Sequence, residues 1–145
     1  MCVLYMNSSQ NEAKNTIRSA VVAGQFYPAN SAELKLMVEC YLNDVQDTPP
    51  PSKAIIVPHA GLIYSGPIAA IAYASLQSVR EEITRVVLLG PSHRISLKGL
   101  ALSSADYYET PLGKIEIDQD SCDSIRNLPQ VTVADVAHAL EHSLE

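Results

Sequence analysis

A chain of 145 residues, 47% of them hydrophobic, carries enough apolar mass for one domain with a real core and is too short for two ordinary ones. A formal charge of −6 and a pI near 5.1 argue against nucleic-acid binding, which needs a clustered Lys/Arg field; the ten basic residues are scattered. No apolar stretch approaches the roughly 18 residues that span a bilayer, and the N-terminus lacks the basic segment and long apolar core of a secretory signal, so a cytoplasmic protein without membrane attachment is expected. Cys2, Cys40 and Cys122 are odd in number, widely spaced and free of any Cys-x-x-Cys pair. They read as free thiols, not as a disulfide framework or a zinc ribbon.

In chain order, residues 1–17 turn polar after the first few and show no core-forming period, which predicts a flexible N-terminal extension ahead of a domain at 18–145. Asn30-Ser31-Ala32-Glu33 has the form of a helix N-cap followed by a carboxylate three residues on. Leu34, Met37, Val38, Tyr41 and Leu42 then recur at spacings of three and four, an apolar stripe on one helix face. Cys40 falls beside that stripe and reads as a small buried residue. Thr48-Pro49-Pro50-Pro51-Ser52 interrupts regular structure and leads into a first predicted strand, Ile55-Ile56-Val57. Ser65-Gly66-Pro67 opens a helix rich in small residues through Leu76, and Val86-Val87-Leu88-Leu89 is a second strand.

The order strand, helix, strand, with more than the roughly 10 to 12 residues that a parallel crossover needs, predicts parallel pairing. The near-continuous apolar runs fit strands covered by helices on both faces. Further strands are expected over Lys98–Ser103, Lys114–Asp118 and Val131–Val133. An ordered loop holding Tyr107, Tyr108 and Pro111 separates the first two, and Asp118 caps a helix reaching about Asn127. The fold class is α/β: a layered, mostly parallel central sheet flanked by helices.

Both predicted strands run into a histidine turn, Pro58-His59-Ala60-Gly61 and Gly90-Pro91-Ser92-His93. Parallel strands end at one sheet edge, where α/β proteins bind ligands. With strands about 4.8 Å apart, His59 and His93 would direct two imidazoles at one metal ion, and Gly61 and Gly90 would allow close backbone approach. A catalytic metal takes at least three protein ligands. Candidates for the third are His138, Glu141 and His142, then Asp106 and Glu109, although Glu141-His142 read alone is the solvated end of a helix. A nucleophilic alternative places Ser92 or Ser65 beside a histidine, but neither has the Gly-x-Ser-x-Gly context. Tyr64, Tyr107 and Tyr108 are candidates to line a pocket for an aromatic substrate, against the commoner role of tyrosine in packing.

Five blocks, in order, carry a resemblance to a known family: Ala23-Gly24-Gln25-Phe26-Tyr27-Pro28; Pro58-His59-Ala60-Gly61 continuing through Tyr64-Ser65-Gly66 to Ala72-Tyr73; Gly90-Pro91-Ser92-His93; Thr110-Pro111-Leu112-Gly113; and Glu141-His142-Ser143-Leu144-Glu145. They span nearly all of the chain after residue 20. On these residues the chain resembles the Memo family, whose bacterial and archaeal members are called AmmeMemoRadiSam system protein B. The resemblance implies a fold like that of class III extradiol dioxygenases, which hold non-haem iron with two histidines and a carboxylate, a cysteine taking the carboxylate's place in this family. It maps His59 and His93 onto the family's metal ligands, with iron or copper as cofactor, and implies redox or oxygen-activating chemistry and, in animals, adaptor roles in signalling.

The Glu141-His142 block maps onto a motif near the site, which implies a supporting or substrate-facing role for it. The expected set is therefore His59, His93 and His142 as catalytic residues, with Tyr64, Ser92 and Glu141 facing substrate. The sequence stops at Glu145, about halfway along a family-length chain, so a truncated domain without the expected cysteine ligand is anticipated. Its open sheet edge would favour homo-oligomers or a complementary C-terminal segment. The alternatives are a non-catalytic module that receives a small molecule or peptide in the same crevice, and a fragment without independent activity.

Overall fold

Contacts in the computed structural model, which describes residues 1–6 and 16–145, divide the chain into two units. One comprises Met1–Val21 with Thr84–Glu145, the other Val22–Ile83. Of the flexible extension expected over 1–17, the stretch 7–15 lies outside the described residues. Just before it, Cys2–Met6 forms strand β1, and just after it Ile17–Arg18 forms the short strand β2.

The first unit holds all the named strands among the described residues. In its larger sheet β1 runs antiparallel to β3 (Val86–Gly90), Cys2 facing Gly90, and parallel to β4 (Leu100–Leu102), which pairs in parallel with β7 (Val131–Val133). The smaller sheet pairs β2 in parallel with β5 (Tyr107–Thr110), which forms an antiparallel hairpin with β6 (Gly113–Glu116). Helix α3 (Gln119–Ile125) follows, and Asp118 caps it by accepting from the Ser121 N–H at 3.0 Å and the Ser121 hydroxyl at 2.7 Å, as its place before the helix predicts. Leu102, Ala105, Tyr108, Ile117 and Cys122 form the buried core, with Leu88, Val131 and Leu144 packed against it.

The second unit contains α1 (Ser31–Asn43) and α2 (Leu62–Ala74). Asn30 caps α1 as expected, its side-chain oxygen accepting from Ala32 N at 2.9 Å and Glu33 N at 3.1 Å. The two helices touch where Gly66 meets Tyr41: a Cβ at residue 66 would lie 2.4 Å from the tyrosine ring, so the absence of a side chain sets how closely they approach.

Several expectations need correction. Ile55-Ile56-Val57 joins no sheet, and Ile56 is 99% exposed. Prolines bracket this run, and a strand exists only by hydrogen bonding to a neighbour; the partner of β3 is β1, in the antiparallel sense. The result is α/β with two small mixed sheets in place of the expected parallel layer. Nor is β3 covered on both faces, since Val86, Val87 and Leu89 are 42–52% exposed. Tyr107 and Tyr108, expected in a loop, lie in β5, where aromatic side chains favour a pleated half-buried surface. Helix α2 begins at Leu62 and carries Pro67 in its interior. Cys40 is exposed, not buried, whereas Cys122 is buried in the core. No helix among the described residues is long and apolar enough to cross a membrane.

Candidate functional site

The turn after β3 and the segment that ends the chain meet within the first unit. Gly90 permits this: a Cβ there would lie 2.6 Å from the Ser143 hydroxyl and 2.7 Å from a Leu144 methyl, so only a residue without a side chain lets 143–144 seat on the strand end. The Ser143 hydroxyl donates to the Pro91 carbonyl at 2.7 Å and fastens the two segments. Replacing Gly90 with alanine is expected to force them apart and cost about 1–3 kcal/mol, read as a lowered urea midpoint with unchanged m value.

Once fastened, the segment places Glu141 under the turn. One carboxylate oxygen accepts from the His93 backbone N–H at 2.6 Å. The other lies 2.8 Å from His93 Nδ1 and accepts from the backbone N–H groups of His142 at 2.9 Å and Ser143 at 3.1 Å. His142 Nδ1 is 3.3 Å from that same oxygen. The two imidazoles stack, ring centroids 4.5 Å apart and planes 23° from parallel. Burial would raise the Glu141 carboxyl, but hydrogen bonds from the His93 ring and from the backbone of His93, Ser143 and His142 outweigh it and hold its pKa down to about 2. An ionised carboxylate, 3% exposed, thus sits beneath two more accessible imidazoles with exposures of 41% and 18%. A pair of imidazole donors backed by a carboxylate suits the metals that favour nitrogen ligands, zinc, copper, iron and nickel.

The other sequence candidates fall as follows. His59 lies exposed in the second unit, in the loop ahead of α2, and not at a strand end. Tyr64, also in that unit, is 79% exposed on α2. Ser92 donates its hydroxyl to the Ile95 carbonyl at 2.7 Å and Ser65 to the Ala60 carbonyl at 2.8 Å, so both nucleophile readings lack the expected bond to a histidine. Ser92 also lines a cavity of about 520 Å³ in the first unit, beside Leu89, Pro91, Ile95 and Leu97. Asp106 is engaged by Thr16, whose backbone N–H and hydroxyl both donate to it, and Glu109 stands opposite Lys114 in the β5–β6 hairpin. Glu141 and His142 are no solvated helix end: the chain there is irregular and the carboxylate is buried.

His138 is excluded as a ligand because both ring nitrogens are spent. Nε2 donates to the Ala101 carbonyl at 3.2 Å, which leaves Nδ1 to accept the Tyr108 hydroxyl at 2.8 Å. Arg18, which sequence reasoning passed over, completes this buried network. Its guanidinium donates to the backbone carbonyls of His138 and Glu141, pairs with Glu145 and lies over the Tyr108 ring, 5.2 Å from its centroid. Nothing in the local sequence marks a lone arginine after a polar run as buried. The one signal available was the acceptor it needs, at the far end of the chain.

A family profile described as Memo-like protein matches residues 18–145. The chain is 39% identical over 131 residues to a MEMO1 family protein of Aquifex aeolicus (strain VF5), an alignment covering 89% of this chain and 47% of that protein. It is 47% identical over 103 residues to Protein MEMO1 of Homo sapiens, covering 70% of this chain and 34% of the relative. With a MEMO1 family protein of Nitrosopumilus maritimus (strain SCM1) it shares 35% identity over 137 residues, 89% of this chain and 49% of the other. The chain thus spans about half the length, or less, of the curated relatives it matches. From its own length upward, with most of the sequence matched to the family profile and to these relatives, this chain belongs to the Memo-like protein family.

Proposed function

We propose that the chain is a cytoplasmic metal-binding protein of the Memo-like family in which His93 and His142 bind an ion of iron or copper, with a redox or oxygen-activating role related to that of non-haem iron dioxygenases. The observation that carries this reading is the pair of stacked imidazoles on one ionised, buried carboxylate. The resemblance to the family nominates His59 as a further metal ligand. Bound there, the ion would supply Lewis acidity and open coordination positions for a ligand oxygen. Glu141 would keep the His93 ring in place, and the cavity beside Ser92 would receive the apolar part of a small substrate.

Elemental analysis of anaerobically purified protein tests the reading. Near-stoichiometric iron or copper is expected in the parent chain, falling at least tenfold in each of His59→Ala, His93→Ala and His142→Ala. Metal content unchanged by the substitutions would sink the assignment.

A second reading, a module that binds another polypeptide, draws on the exposed stripe of Ile63, Tyr64, Ile68 and Ile71 on α2, an apolar surface of the kind that marks interaction sites. A second copy of the chain or a complementary segment of a family-length domain would fit it. Sedimentation that shows self-association, unaffected by chelator and reversed by Ile68→Lys, would favour this reading; a chelator-sensitive assembly would count against it.

A further inference from the structure

Glu141 faces backbone and ring donors at once, and that combination dictates a proton position. Glu141 Oε1 already accepts the backbone N–H groups of His142 and Ser143, so it faces the His93 nitrogen 2.8 Å away as an acceptor, and that nitrogen carries the hydrogen. In a neutral imidazole the lone pair then resides on Nε2. We propose that Glu141 is a positioning residue that locks His93 in the Nδ1–H form and thereby aims its Nε2 lone pair as a metal donor. The inference rests on the metal-site reading above and deepens it.

Three features of the geometry support a built orienting device over a chance contact. The carboxylate is 3% exposed, so the bonds it accepts do not compete with water. Its own position is fixed from three sides by the backbone N–H groups of His93, His142 and Ser143, none of which depends on a side-chain rotamer. The ring it orients is also held at its backbone by the same carboxylate, one oxygen on the main chain and the other on the ring, which fixes both the root and the plane of the imidazole. Carboxylate–histidine pairs of this kind set the tautomer and basicity of metal-bound imidazoles, and their loss weakens metal binding by about 10- to 100-fold.

The test reads the tautomer directly, from long-range ¹H–¹⁵N spectra of the chelator-treated chain at about pH 8, where ordinary imidazole is neutral. His93 is expected as Nδ1–H in the parent chain and in Glu141→Gln, which keeps a carbonyl acceptor, and as predominantly Nε2–H in Glu141→Ala. Titration with Co(II) alone is expected to show affinity reduced about 10- to 100-fold in Glu141→Ala and less in Glu141→Gln. An Nε2–H form in the parent chain, or an unchanged tautomer in Glu141→Ala, would overturn the proposal. Should the alanine variant fail to fold, the parent and glutamine spectra still decide it. An Nδ1–H parent chain that binds no Co(II) would uphold the orienting role of Glu141 and refute the metal reading, so the two failures are distinct.

Discussion

Arg18→Met is expected to lower the stability of the chain by about 3–5 kcal/mol, the usual penalty for removing one member of a buried ion pair. The substitution keeps most of the side chain's length but strips out every donor. Glu145, with its side chain 1% exposed, would keep the Val21 backbone N–H, at 3.0 Å from each carboxylate oxygen, but lose the cation that offsets its buried charge. The carbonyls of His138 and Glu141 would lose their guanidinium donors, and the Tyr108 ring its stacked cation. The loss falls mainly on groups left behind, because a buried acceptor without a partner carries its full desolvation cost. Arg18→Met combined with Glu145→Gln should therefore recover part of the deficit by neutralising the stranded carboxylate. Chemical denaturation of the parent, the two single variants and the double variant measures this as a coupling energy. Strict additivity would show that the pair is not coupled.

That network also marks where sequence reading stops. The helix caps were legible because a cap is local: Asn30 and Asp118 bond to N–H groups two or three residues on, and the chain order alone supplies both partners. Strand β3 was legible from its apolar run. Its register was not, since the strand beside it is β1, read from composition as part of a loose tail. Ile55-Ile56-Val57 misled for the converse reason: an apolar run states that a segment can be a strand but not that a partner exists. At the candidate site, His93 and His142 were named from motifs, while the role of Glu141 was not deducible from them. Its meaning lies in the pairing of residues 141–144 with the turn at 90–93, a contact that no local pattern encodes.

Acidification is expected to destabilise the metal-free chain in two stages, and the sign follows from which state binds more protons. His138, buried among Ala101, Tyr108 and Arg18, has its pKa lowered, chiefly because burial disfavours the imidazolium, with Arg18 adding to the effect while the Ala101 carbonyl, Asp135 and Glu141 oppose it. The unfolded chain then takes up the proton first, so the stabilising contribution of neutral His138 is complete above its ordinary value of 6.5 and diminishes as the pH falls below it. The second stage belongs to the carboxylates. Burial would raise Asp118 and Asp135, but hydrogen bonds from Ser121 and Arg85, and from Ser104 and Ser103, outweigh it and lower both from 3.8. Glu141 falls from 4.5 to about 2. Each is protonated in the unfolded chain before it is in the folded one, so their contributions are present above the unfolded values and vanish as the pH drops through the folded ones. For Glu141 alone that is on the order of 2–3 kcal/mol lost between about pH 5 and pH 2. Urea midpoints at pH 7.5, 5.5 and 3 should fall at each step. Glu141→Gln should start lower at pH 7.5 and lose less between pH 5.5 and 3, because it has no carboxylate to protonate. A parent-like slope in that variant would show that the buried carboxylate does not set the acid limit of the fold.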